Sequence, residues 1–128
     1  MTEKRHMTPD LDFEKLNGLI PAIVQDASSN EVLMVGFMNR AAFDCTLAAG
    51  YVTFFSRTRQ QLWMKGETSG NRLRVISAVT DCDRDTLLIR VEVEGAGQVC
   101  HRGTRSCFTE AISLEPTPAL AAKESQNL

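Results

Sequence analysis

The sequence predicts a β-rich α+β domain with one clear helix. Three observations predict it. Leu87, Ile89, Val91 and Val93 alternate with Leu88, Arg90, Glu92 and Glu94, the period of a half-buried strand. Two apolar runs flank the turn-forming cluster Asp26-Ala27-Ser28-Ser29-Asn30, the pattern of a hairpin. A helical i, i+4 pair, Phe43 and Leu47, occurs between a capping residue, Asn39, and a stop, Gly50.

Element by element, residues 1–17 are polar and irregular until Leu11, Phe13 and Leu16, which suit a second short helix packed on the domain. The hairpin strands centre on Ala22-Ile23-Val24 and Val32-Leu33-Met34-Val35. The helix spans 40–49. Strands follow at 51–55, 61–64, 72–80 and 86–94. From Glu115 the chain holds Pro116 and Pro118 and then small and polar residues, the composition of a loose tail over 115–128. The organisation is thus an N-terminal arm at 1–17, a single domain at 18–114 and the tail. No internal repeat or low-complexity segment interrupts it.

A chain of 128 residues fits one domain. Folding at this size buries roughly two-thirds of the unfolded surface, enough for a core without staples. The formal net charge is −2 and the pI about 5.7, which argues against a generic nucleic-acid or anionic-membrane surface. No apolar run approaches the ~18 residues of a membrane span. The start MTEKRHMTPD lacks the apolar stretch of a secretory signal, so a cytoplasmic location is expected. Four cysteines in a reducing compartment suit metal binding or catalysis better than disulfides. Charge is uneven: Arg57, Arg59, Lys65, Arg72 and Arg74 share their stretch with one acid, Glu67. The acidic stretch from Asp81 to Glu94 follows, so the two read as parts of a site.

In Asp81-Cys82-Asp83-Arg84-Asp85, three carboxylates alternate. On an extended segment they project to one side and Cys82 to the other. Without a cation they repel one another. Hard oxygen donors suit Mg²⁺ or Ca²⁺. A soft thiolate facing away from them argues for two different metals. The plain alternative is a polar turn between strands.

Cys100 and Cys107 enclose His101, Gly103 and two arginines. The spacing is a weak zinc signal by itself, and a buried Cys beside a surface His is the plain alternative. With Cys82 added, three thiolates and an open position make a catalytic kind of zinc site. A structural site needs a fourth ligand, either His101 or Cys45. Cys45, inside the helix beside Phe43 and Leu47, reads as a buried inert thiol. From Ser56 to Asn71 the chain combines Arg57, Arg59, Lys65, Thr68 and Ser69 with Gly66 and Gly70. Such a set can bind phosphate through charged side chains and backbone N–H groups. The Walker pattern is absent, and an Arg-rich hairpin with a glycine-flanked loop is the plain alternative.

Together, SRTRQQLWMKGETSGN, DCDRD and CHRGTRSCF resemble the phosphoribosyl-AMP cyclohydrolase family of histidine biosynthesis. The resemblance covers about 19–108, with the three motifs in the family's order. Thr58 stands where the family more often has Ser, and Val99 and Arg102 flank the Cys-His pair where smaller or hydroxyl residues are usual. The family also occurs fused to a pyrophosphohydrolase domain, and the length here suggests the single-activity form.

The resemblance implies a homodimer with a folded, barrel-like mixed β-sheet. It implies zinc held by Cys82 of one chain with Cys100 and Cys107 of the other, and Mg²⁺ held by Asp81, Asp83 and Asp85. It implies a zinc-activated water attacking C6 of a phosphorylated nucleotide, with rupture of the N1–C6 bond. His101 is then the candidate base, since imidazole titrates near neutrality. Arg57, Arg59, Lys65, Thr68 and Ser69 would grip phosphate. Trp63 either stacks on the base or fills the core, and burial is the commoner use of an aromatic. Two rivals are weaker. A nucleobase deaminase needs HxE and PCxxC, and neither is present. A non-enzymatic zinc-binding module needs Cys45 as a fourth ligand.

Overall fold

The computed structural model describes residues 10–115. The first part of the expected arm and nearly all of the expected tail therefore lie outside the described residues. The elements run β1 (Ile20–Asp26), β2 (Val32–Met38), α1 (Arg40–Ala49), β3 (Thr53–Ser56), β4 (Gln61–Met64), β5 (Leu73–Thr80) and β6 (Leu87–Val93). No helix among the described residues is long and apolar enough to cross a membrane.

The strands fall into two sheets. The larger is mixed, in the order β2-β1-β6-β5, and β3 pairs only with β4. Its outer strands, β2 and β5, are not joined to each other, so this sheet is open within one chain. The β1–β2 and β5–β6 pairs are antiparallel, whereas β1 runs parallel to β6. Pro21, which has no N–H to donate, precedes the first residue paired with β6, Ala22.

The core lies where the large sheet meets α1 and the β3–β4 hairpin. Ile20, Ala22 and Val24 of β1 join Leu87, Ile89 and Val91 of β6 there, as the alternation predicts. Phe54 of β3 is fully buried against Gly36 of β2. A Cβ at Gly36 would come within 2.5 Å of that ring, so only glycine admits it. Helix α1 has the expected ends: Asn39 accepts from Ala42 N–H, and Gly50, at φ 78°, donates to the Thr46 carbonyl. Phe43 enters the core, but Leu47 is exposed. The inward place one turn after Ala42 goes to Thr46, whose hydroxyl bonds the backbone of Ala42 and Thr53.

Two expectations change. Residues 13–18 form turns rather than a second helix, although Phe13 still packs on Phe43 with ring centroids 6.3 Å apart. Cys45 is exposed, because it lies on the outer side of α1 from Ala42 and Phe43. β5 is also barer than its apolar sequence suggests. Ile76 sits where the register with β6 shifts and is 50% exposed, and Val79 is 58% exposed.

Candidate active site

Three turns carry the chemistry-bearing residues. The first follows β4. Gly66 takes φ 82°, and a Cβ there would lie 2.1 Å from the Asn71 carbonyl oxygen, so the chain folds back at this point only with glycine. Gly70 N–H donates to the Gly66 carbonyl at 2.8 Å, closing the loop. Asn71 is buried, and its Oδ1 accepts from Ala96 N–H at 2.8 Å. That bond ties the loop to the segment after β6.

The second turn is the thiol loop. Cys100 N–H donates to the Thr104 carbonyl, and Gly103 N–H donates back to the Cys100 carbonyl. Cys107 N–H donates to the Leu33 carbonyl of β2 at 2.8 Å, and the Ser106 hydroxyl donates to the Val32 carbonyl. The loop thus closes on the outer strand β2 and carries both thiols, each near enough to perturb the other's acidity. The Arg102 N–H and then the Thr104 hydroxyl hold the Cys100 thiol below its ordinary value, which favours the thiolate that a metal needs. Burial, then the bond to Cys100, pushes the Cys107 thiol up, while the nearby Lys65 ammonium opposes the rise.

Between these two turns lies a cavity of about 320 Å³. Lys65, Thr68 and Ser69 line it from one side, and Cys100 and His101 from the other. Trp63 lines it as well and is 43% exposed, so its place is at the cavity wall and not in the core. Its indole packs on Phe54 at 5.6 Å, while Lys65 Nζ lies 5.4 Å from the ring. The sequence did not single out Glu67, Asn71 or Gln98, which also face the cavity. Arg57 and Arg59 are not among its lining residues. They occupy the β3–β4 turn, at the other end of the hairpin from Lys65, roughly 13 Å away by strand rise. Arg57 stacks over Phe37 at 4.0 Å.

The third turn joins β5 to β6. Asp81 N–H donates to the Thr86 carbonyl, and Arg84, at φ 62°, donates its N–H to the Asp81 carbonyl. Asp81, Asp83 and Asp85 bring carboxylate oxygens within 4.8 Å of one another. A tight turn causes this convergence, not the extended alternation that the spacing suggested. The premise that put Cys82 on an opposite face therefore does not hold, although Cys82 is exposed in the same turn. Burial pushes the Asp81 carboxyl up, but bonds led by the Asp85 N–H outweigh it and hold it below its ordinary 3.8. Lys15 Nζ reaches Asp85 Oδ2 at 3.1 Å, so a cation already sits at one corner of the group. The donor set and spacing fit a hard divalent ion.

The thiols do not gather as the carboxylates do. Among the described residues, the aspartates are the only group of three or more metal-ligating side chains that converge. Cys107 is moored at β2 and Cys100 is held in the same loop, while Cys82 is at the tip of the β5–β6 hairpin. That hairpin stands two to three strand spacings from β2, roughly 10–14 Å across the sheet. Zinc–sulfur bonds of about 2.3 Å cannot span that gap. Cys45, on α1, does not complete a set either.

A family model described as phosphoribosyl-AMP cyclohydrolase matches residues 34–109. Three relatives, each described as histidine biosynthesis bifunctional protein HisIE, are similar over most of the chain. The one from Bacteroides thetaiotaomicron is 57% identical over 113 residues, covering 88% of this chain and 54% of the relative. The one from Salmonella typhimurium is 58% identical over 102 residues, covering 80% and 49%. That from Escherichia coli is 60% identical over 99 residues, covering 77% and 48%. The chain spans about half the length of these relatives.

Proposed function

The chain belongs to the phosphoribosyl-AMP cyclohydrolase family, and we propose that it catalyses the reaction in that name within histidine biosynthesis. The reaction is the hydrolytic opening of the purine ring of phosphoribosyl-AMP at N1–C6. The observation that carries this reading is the cavity between residues 63–71 and 98–103. It sets cationic and hydroxyl side chains of the phosphate-binding kind opposite the Cys100 thiol and an imidazole. The catalytic domain is residues 18–114, flanked by the arm at 1–17 and the tail at 115–128.

Zinc would be held by Cys82 of one protomer with Cys100 and Cys107 of its partner in a homodimer. What supports this reading is that one chain carries two of the thiols in one loop beside the cavity and the third in a separate turn. Bound zinc supplies Lewis acidity and lowers the pKa of water toward neutrality. A three-thiolate set carries more negative charge than the metal neutralises, which weakens that acidity and leaves work for a base. His101, which lines the cavity beside Cys100, would take the proton of the attacking water at its imidazole nitrogen. The ribosyl phosphate on N1 leaves C6 electron-poor, so attack occurs there and the N1–C6 bond breaks to give a formimino carboxamide.

Lys65, Thr68 and Ser69 grip phosphate within the cavity, with charge-assisted bonds from the ammonium. Arg57 and Arg59 would share that duty from the other end of the hairpin, outside this cavity's lining. Asp81, Asp83 and Asp85 would hold Mg²⁺. The direct test is the absorbance of purified protein incubated with phosphoribosyl-AMP. Turnover that stops on chelation and returns with zinc is expected. A zinc-loaded, folded protein that leaves the substrate intact would contradict the assignment.

A further inference from the structure

Arg105 lies in the thiol loop, two residues before Cys107, yet does not line the cavity. Its guanidinium spreads over three acceptors. Nη2 donates to Asp26 Oδ1 at 2.8 Å, Nε to Glu31 Oε1 at 3.1 Å and Nη1 to the Gly97 carbonyl at 3.2 Å. Asp26 ends β1, Glu31 precedes β2, and Gly97 leads into Cys100. One rigid group therefore pins both flanks of the loop to the β1–β2 turn. The anchor is itself preset. Asp26 is 5% exposed, and its other oxygen accepts from the Ser28 and Ser29 N–H groups and the Ser29 hydroxyl. At Gly97 a Cβ would stand 3.0 Å from the guanidinium, so the chain passes close by for want of a side chain.

We propose that Arg105, anchored by Asp26, is a positioning residue for the Cys100–Cys107 thiol pair. It keeps the loop closed, so that two sulfurs are presented to a soft divalent metal before the metal arrives. The proposal rests on the reading that these thiols are metal ligands. Ordering a loop at the moment of binding weakens affinity, and a loop already ordered avoids that loss. Single exposed ion pairs contribute little. Here the principal acceptor is buried, and the three bonds depend on the planar guanidinium fork. A lysine ammonium, a point charge, cannot reproduce that fork.

The experiment titrates the full chain with Co²⁺, a spectroscopic substitute for zinc whose thiolate charge-transfer absorption reports sulfur ligation. The wild-type protein should show the band, and Cys107→Ala should lose it. Arg105→Ala should bind Co²⁺ on the order of tenfold more weakly, the scale seen when groups behind metal ligands are removed. Removing the cation beside buried Asp26 could unfold the protein, so Arg105→Lys is the second variant. It keeps the charge at Asp26 but gives up the fork, and a several-fold loss is expected, measured well below its unfolding temperature. A role in global stability alone would lower that temperature and leave the affinity unchanged. A folded Arg105→Lys protein with wild-type Co²⁺ affinity overturns the proposal. A wild-type protein without the thiolate band overturns the ligand reading instead, and the positioning role falls with it.

Discussion

The aspartate turn and the thiol loop are both short reversals of the chain that carry metal-ligating side chains. They differ in where their ligand sets are completed. Asp81, Asp83 and Asp85 are neighbours in sequence, and one tight turn brings their oxygens within 4.8 Å. The thiol loop carries two cysteines and stops, with the third at the tip of the β5–β6 hairpin, away from β2. A ligand set made by local backbone geometry is available to a single chain. A set divided across an open sheet, as proposed for the three thiols, would require another chain. The open sheet and the bare edge strand β5, with Val79 beside the aspartate turn, are consistent with that requirement.

Variants can separate the two regions. The largest effect is expected from His101→Asn, which acts on the thiol side alone. It should keep the fold and zinc and lower kcat about 10²-fold or more, the usual range for general acid–base catalysis. A loss below about threefold in the zinc-loaded variant would remove His101 from that role. Asp83→Asn acts on the other turn. It should weaken Mg²⁺ binding, read by calorimetry, while zinc content stays at the wild-type level. If both metals were lost from a folded protein, the two turns would not be separate sites.

The smallest effect concerns the clasp that ties the thiol loop to the β1–β2 turn. Burial pushes the Asp26 carboxyl up, but bonds from the Ser29 N–H and hydroxyl, then the Arg105 charge, outweigh it and hold it below 3.8. A carboxyl depressed in the folded state contributes stability above its unfolded value and loses it as pH falls through the folded value. Asp26→Asn should therefore be less stable than wild type at neutral pH. The gap should narrow on acidification below about pH 4. Urea unfolding at neutral pH and near pH 3 checks this. A gap of constant size would mean that Asp26 acts by packing and not by charge.

Much of this was legible in the sequence, and the failures have physical causes. The helix ends at 40 and 49 and the inward set of β6 follow from local rules, Asn39 and Gly50 as caps and a period of two. The aspartates were also found, but for the wrong geometric reason. Spacing alone does not distinguish an extended run from a turn that Arg84 closes in the left-handed region. Arg57, Arg59 and Lys65 look like one basic segment, yet a hairpin puts the arginines and the lysine at opposite ends. Trp63 reads as core because aromatic residues usually are, but β4 is short and one wall of its indole faces the cavity. Arg105 reads only as one of two arginines between Cys100 and Cys107, since its partners Asp26 and Glu31 lie more than seventy residues away in sequence.

The divided thiol site is the central claim, and mixing two dead variants tests it most directly. Cys82→Ala and Cys107→Ala chains are unfolded, combined in equal amounts and refolded with zinc. In a mixed dimer one site collects both lesions, and the other joins the intact Cys82 of one chain to the intact Cys100 and Cys107 of its partner. Random pairing makes half the dimers mixed, each with one good site of two, so roughly a quarter of wild-type activity should return. No activity at any mixing ratio, in refolded mixed dimers, would show that each chain completes its own thiol set.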